Sequence, residues 1–213
     1  MGRKPQERAL RQPVGDPARR DGTVLTYHAL ATAVRAQIGQ HHRYAHSVRV
    51  ARCAELLACR YGADPAKARA AGLLHDIARL YPPQRLLDEC GARGIVIDAC
   101  EQAAPVLLHA RLGAALTRER FGIDDPEILD AIAKHTAADA AMSPLDCALY
   151  LADGLEPGRD FPQRAYLWEL ACTDMKAAMR ETLASTLRHI ARRGLPIAPR
   201  SLLAARAFGV EWP

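Results

Sequence analysis

The amino-acid sequence predicts an all-α fold, on three observations. From about Thr23 onward apolar residues recur at three- and four-residue spacing. Alternating, strand-like runs are nearly absent. Two junctions, RYGADPAKA near residue 62 and RFGIDDPEI near residue 122, share one construction: a helix-ending Gly, an N-capping Asp and a Pro at the first helical position. Further breaks follow in order at Pro82 and Pro83, Gly91 to Gly94, Pro105, Ser143 and Pro144, Gly154 to Pro162, and Gly194 to Pro199. They divide the chain into roughly eight to ten helices, an ordinary number for this length. The expected organisation is a basic extension over 1–22 and one helical domain over 23–213.

Composition excludes several classes of function. Apolar residues make up 49% and charged residues 25% of the 213, the mixture of a globular protein able to bury a core. No stretch approaches the run of about 18 apolar residues that a membrane span needs, and the first 22 residues lack a signal peptide's apolar core. No membrane association and a cytoplasmic location are the expectations. The six cysteines, Cys53, Cys59, Cys90, Cys100, Cys147 and Cys172, form no C-x-x-C pair and read as free thiols filling the core. Among the first twenty residues Arg3, Lys4, Arg8, Arg11, Arg19 and Arg20 face only Glu7 and Asp16, so most of the net charge of +5 lies there. Such a tail is ordinarily solvated, and a nucleic-acid partner is not expected.

The chemistry-bearing residues stand on the apolar faces of their helices. His46 shares a face with Val50, Cys53 and Leu57; His75 with Ala68, Ala71 and Gly72; His109 with Leu112, Gly113 and Leu116; His135 with Ile128 and Ile132. Asp76 follows His75 within the apolar segment AAGLLHDIARL, and Asp153 lies in LDCALYLADGL, where an unpaired carboxylate is costly to bury. One such histidine is ordinarily a satisfied core residue. Five helices turning four imidazoles and two carboxylates inward make physical sense if those groups converge on a cation. Imidazole with carboxylate suits iron, manganese or zinc, and the absence of cysteine from these positions argues against a structural zinc site. Read as helical neighbours, His75 and Asp76 point about 100° apart and need His46 and Asp153 from other helices to complete a site.

These segments resemble the HD-domain phosphohydrolases, and within them the YqeK family, which splits diadenosine tetraphosphate symmetrically into two ADP. The resemblance covers about residues 40 to 207 and rests on HRYAHSVRVA, AGLLHDIAR, LLHARLGA, IAKHTAADAAMSPLDCALYLADGLEPGRDFP and GLPIAPRSLLAAR. It implies an HD-domain helical bundle and a divalent metal, iron foremost with manganese or zinc as alternatives, as one or two ions. The implied metal ligands are His46, His75, Asp76 and Asp153, and the implied catalytic groups are Asp76, His109 and His135. The implied substrate-binding positions are Arg43, Asp76, Ile77, Ala78, Arg79, His109, His135, Asp153, Gly154, Arg159 and the segment Pro196, Ile197, Ala198, Pro199, Arg200 and Ser201. The implied partners are a dinucleoside polyphosphate and its ADP product, and a homodimer is compatible with the resemblance. This chain departs from the family at Arg79, Cys147, Gly154, Ala198 and Ala207, positions that bear on base recognition. Two rival functions use the same pocket: phosphomonoester hydrolysis of a nucleotide, and nucleotide-binding regulation without turnover.

Overall fold

The computed structural model describes residues 26–212, and the basic segment 1–22 lies outside the described residues. Eleven α-helices and one 3-10 turn stand among them, with no strand. In order they are α1 (Tyr27–Ile38), α2 (His41–Tyr61), α3 (Pro65–Leu74), α4 (Pro83–Ala92), α5 (Ala99–Ala103), the 3-10 turn Pro105–Leu108, α6 (His109–Phe121), α7 (Pro126–Lys134), α8 (Pro144–Leu155), α9 (Arg164–Thr173), α10 (Met175–Arg192) and α11 (Pro199–Ala207). The count passes the expected eight to ten by way of short elements such as the five-residue α5.

Both predicted junctions form as read. Gly62 and Gly122 end α2 and α6 with positive φ, a conformation that costs glycine nothing. Asp64 and Asp125 then accept backbone N–H bonds at the starts of α3 and α7, where Pro65 and Pro126 occupy the first position. The segment after α3 departs from the reading. The helix stops at Leu74, and residues 75–81 continue as i to i+3 turns, with Ile77 N–H on Leu74 O, Arg79 N–H on Asp76 O and Tyr81 N–H on Ala78 O. His75 and Asp76 therefore sit on tight turns, not inside a helix.

One helix organises the packing. Every residue of α8 from Leu145 to Ala152 is buried, the one charged group, Asp146, being paired with Lys134, as expected of a helix almost apolar all round. Leu145, Leu149 and Ala152 join a core built from α1 to α4, α6 and α7. Cys147, Ala148, Tyr150, Leu151 and Leu155 join a second core with α9, α10 and α11. α2 packs against α3 and α8, and α7 against α6, α8 and α3. Asp153 thus leaves a helix held on all sides. No helix among the described residues is long and apolar enough to cross a membrane.

The cysteines are unpaired thiols; Cys53, Cys90 and Cys147 are buried and Cys59 is exposed. Burial pushes the Cys53 thiol up to about 11 and that of Cys147 up to about 12, which leaves almost no thiolate at neutral pH. Alkylation of the native protein at neutral pH, read by peptide mass spectrometry, is expected to modify Cys59 first and to reach Cys53, Cys90 and Cys147 only on unfolding. Early labelling of Cys147 would contradict the packing of α8. Trp168 and Trp212 are half-buried against the second core.

Candidate metal centre and cleft

Three of the four inward imidazoles are set by one local device. His75 Nδ1 lies 2.7 Å from Gly72 O, His135 Nδ1 2.7 Å from Ile132 O and His109 Nδ1 2.5 Å from Val106 O, each three residues back along the chain. A carbonyl only accepts, so Nδ1–H is the donor in all three and the neutral ring presents a bare Nε2 to the centre. The same bond explains why α3 ends early. In a continued α-helix Gly72 O would accept from the Asp76 amide, and the His75 ring has taken that place.

His46 is fixed differently. Its Nδ1 lies 3.0 Å from Glu156 Oε1, and Glu156 is itself gripped by Arg49 and by the Gly158 amide, 2.5 Å from Oε2. Sequence reasoning passed over Glu156 and Arg49. The available signal was a carboxylate three residues after Asp153 in an otherwise apolar helix end, within the EPGRDF segment.

The groups so aimed meet. His46 Nε2 is 3.0 Å from Asp153 Oδ1 and 3.8 Å from Asp76 Oδ2. His75 Nε2 is 3.6 Å from Asp76 Oδ2 and 3.7 Å from Asp153 Oδ1. His109 Nε2 is 3.3 Å from Asp76 Oδ1 and 3.1 Å from His135 Nε2, with the Thr136 hydroxyl 3.2 and 3.1 Å from those two nitrogens. All four histidines and Asp76 are buried, His75 completely. Arg43 Nη1 stands 3.3 Å from Asp76 Oδ2, and Arg159 holds Asp153 through Nη2 to Oδ1 at 2.6 Å and Nε to the backbone oxygen at 2.8 Å.

Electrostatics follow from that crowding. Burial works against the Asp76 charge, yet His75 and His109 hold its carboxyl below the usual range. Burial likewise opposes the charge on Asp153, which His46, His75 and Arg159 hold well below it. Burial acts to lower His46, but Asp153 and Glu156 outweigh it and raise the ring. Burial, with the His75 and His109 rings beside it, pushes His135 down to about 3.

The cluster fits a divalent cation. His46 Nε2 and His75 Nε2 are buried without a hydrogen-bond partner, although both face carboxylate oxygens. With Nδ1–H already committed, each neutral ring turns a lone pair on a lone pair, a clash that a proton or a cation between them relieves. Ligand atoms of His46, His75 and Asp153 lie within 4.8 Å of one another, as do those of His75, Asp76 and His135.

The cluster floors a cleft of about 310 Å³. Of the sequence-predicted residues, Arg43, Asp76, Arg79, His109, His135, Asp153, Gly154 and Arg159 line it. Ile77 and Ala78 lie behind the wall in the first core. None of Pro196 to Ser201 reaches the wall. Ser201 Oγ donates to Ala137 O at 2.7 Å, supporting the turn that carries His135 and Thr136, while Arg200 is paired with Glu101. Sequence reasoning missed Thr136, Tyr150, Thr182 and Thr186 on the wall, and Thr182 Oγ1 is buried there without a partner.

The family model described as HD domain matches residues 43–158. The chain is 34% identical to the symmetrical bis(5'-nucleosyl)-tetraphosphatase of Bacillus subtilis over 80% of this chain and 90% of that protein. It is 35% identical to the protein of the same name from Halalkalibacterium halodurans over 76% and 86%. A crystal structure from Clostridium acetobutylicum, described as a predicted HD superfamily hydrolase involved in NAD metabolism, superposes with a TM-score of 0.82 at 31% identity, covering 86% of this chain and 96% of that one. With its His and Asp groups gathered at one cleft and its kinship spanning most of both lengths, the chain belongs to the HD domain family, and within it to the YqeK-type group of these relatives.

Proposed function

We propose that this chain is a metal-dependent phosphoanhydride hydrolase that cleaves diadenosine tetraphosphate symmetrically into two ADP. The reading is carried by four imidazoles and two carboxylates at the floor of a cleft walled by Arg43, Arg79 and Arg159. It is supported by the names of relatives that match along most of their length. His46, His75, Asp76 and Asp153 would hold the cation; their donor set suits iron, with manganese or zinc as alternatives. The overlapping group of His75, Asp76 and His135 is compatible with a second ion. Such a cation supplies Lewis acidity, lowering the pKa of a water and neutralising phosphoryl oxygens.

The protein's own groups bind and position. At the lower end of ligand-pocket volumes, the cleft takes a phosphate chain and leaves the nucleosides toward its mouth. Arg159 commits Nε and Nη2 to Asp153 and keeps Nη1 for a phosphate oxygen, in the fixed fork that suits guanidinium to this task. A side chain at Gly154 would meet nothing within 4 Å, so the wall is open there. His109 and His135 spend both Nδ1–H groups on backbone and turn Nε2 to the cleft 3.1 Å apart, with the Thr136 hydroxyl beside both, so either ring is placed to pass a proton to the departing ADP oxygen.

Purified protein loaded with Fe²⁺ or Mn²⁺, incubated with diadenosine tetraphosphate and resolved by chromatography, is expected to yield ADP alone. AMP with ATP would overturn the symmetrical cleavage. Tight nucleotide binding without turnover would replace the hydrolase with a regulatory module.

A further inference from the structure

The four inward imidazoles are alike in burial but not in support, since three lean on backbone carbonyls and only His46 leans on a carboxylate. Glu156 is almost fully buried, and each of its oxygens meets donors only. Oε1 faces His46 Nδ1 at 3.0 Å and Arg49 Nη2 at 3.1 Å; Oε2 faces Arg49 Nε and the Gly158 amide. A Cβ at residue 158 would collide with the Arg49 guanidinium, so glycine there leaves room for the ion pair. Ringed by donors alone, one of them a guanidinium, Glu156 is suited to its site as the carboxylate and not as the acid. It also ties α2, which carries His46, to the end of α8, which carries Asp153, and Arg159 N–H donates to its backbone oxygen at 2.9 Å.

We infer that Glu156 is the positioning residue of the metal centre: its carboxylate fixes His46 as the Nδ1–H tautomer, aims Nε2 at Asp153 and makes this imidazole the strongest neutral donor of the four. The inference rests on the reading of His46 as a metal ligand. A carboxylate behind a ligating imidazole raises its basicity and locks its orientation, and its loss ordinarily weakens metal binding by roughly 10- to 100-fold. Glutamine does not replace it. Whichever way the amide is turned, its NH₂ confronts either His46 Nδ1–H or the Arg49 and Gly158 donors.

The experiment measures Mn²⁺ affinity by calorimetry, and the metal-free melting temperature, for the full chain, Glu156→Gln and Arg49→Met. Arg49→Met removes the tie between α2 and α8 while leaving the His46–Glu156 bond. Glu156→Gln is expected to weaken Mn²⁺ binding by roughly 10- to 100-fold, with turnover recovered at excess Mn²⁺. Arg49→Met, which leaves the His46–Glu156 bond in place, is expected to lower the melting temperature while weakening Mn²⁺ binding far less than Glu156→Gln. Equal losses in both variants would reduce Glu156 to a structural tie, and unchanged affinity in Glu156→Gln would remove any role; either overturns the inference. Should Glu156→Gln fail to fold, ¹⁵N-histidine NMR of the unaltered protein decides. One imidazole Nδ1–H, lost in His46→Gln, should resonate well downfield of the other three, and four alike would overturn the inference. Protein that binds Mn²⁺ but leaves diadenosine tetraphosphate intact defeats the hydrolase reading and leaves this one standing, whereas protein that binds no Mn²⁺ defeats both.

Discussion

Asp76→Asn is expected to lower turnover of the Mn²⁺-loaded protein by on the order of 10³-fold, about 4 kcal/mol in the barrier, while the chain stays folded. Asp76 lies closest to the middle of the cluster. Its Oδ2 stands 3.3 Å from Arg43, 3.8 Å from His46 and 3.6 Å from His75, and its Oδ1 3.3 Å from His109. Asparagine keeps the shape and removes the charge, so the proposed metal centre would lose an anionic ligand and His109 Nε2 the carboxylate oxygen beside it. Arg43 is left without its partner but is partly exposed, so water can solvate it and the penalty to folding is modest. Steady-state rates with chromatographic product analysis, alongside metal content by plasma emission, measure the effect. A variant within tenfold of the parent rate and with full metal content would show that Asp76 is dispensable and sink the proposed centre.

Gly72→Ala is expected to destabilise the protein by about 3 kcal/mol or more, the upper end for overpacking, because the obstruction is backbone and cannot swing aside. A Cβ there would stand 2.6 Å from Ala51 Cα and 2.8 Å from Ala51 N. α2 and α3 approach through small buried residues, Ala51, Ala54 and Ala58 against Ala68, Ala71 and Gly72, and one methyl group forces them apart. For a chain this size the melting temperature should fall by about 6–12 °C. Metal affinity should fall as well, since Gly72 O is the acceptor that orients His75. Helix propensity alone predicts the opposite sign, a gain of up to about 1 kcal/mol. Gly91, within α4 and with nothing near its would-be Cβ, supplies the contrast: Gly91→Ala should leave the melting temperature unchanged or slightly raised. Calorimetric melts of the two variants check both signs, and a stable Gly72→Ala protein would contradict the close packing of α2 on α3.

Much of the site was legible because helical periodicity is local. His46, His75, His109 and His135 share faces with apolar neighbours three and four residues away, and a polar group on such a face must find a partner inside. The ends of elements were less legible. His75 and His135 were read as helical and instead cap α3 and α7, because each ring competes for the carbonyl that the next backbone amide would have taken. Glu156 and Thr136 escaped notice for the same reason: both lie just past a helix end, where no periodic face advertises burial.

The sequence by itself determined the all-α class, the two Gly…Asp-Pro junctions, the inward set of four histidines and two aspartates, and the family, since each is written in spacings of a few residues or in an ordered motif. Only the tertiary structure decided which carboxylate meets which imidazole, that Arg43 and Arg159 each hold one aspartate, that Thr182 and Thr186 of α10 close the wall, and that Pro196 to Ser201 lie off it. Those relations join residues up to about a hundred positions apart, as His46 joins Glu156. They depend on how α8 seats against α2, α3 and α7, which follows from the packing of whole helix surfaces and not from any local pattern.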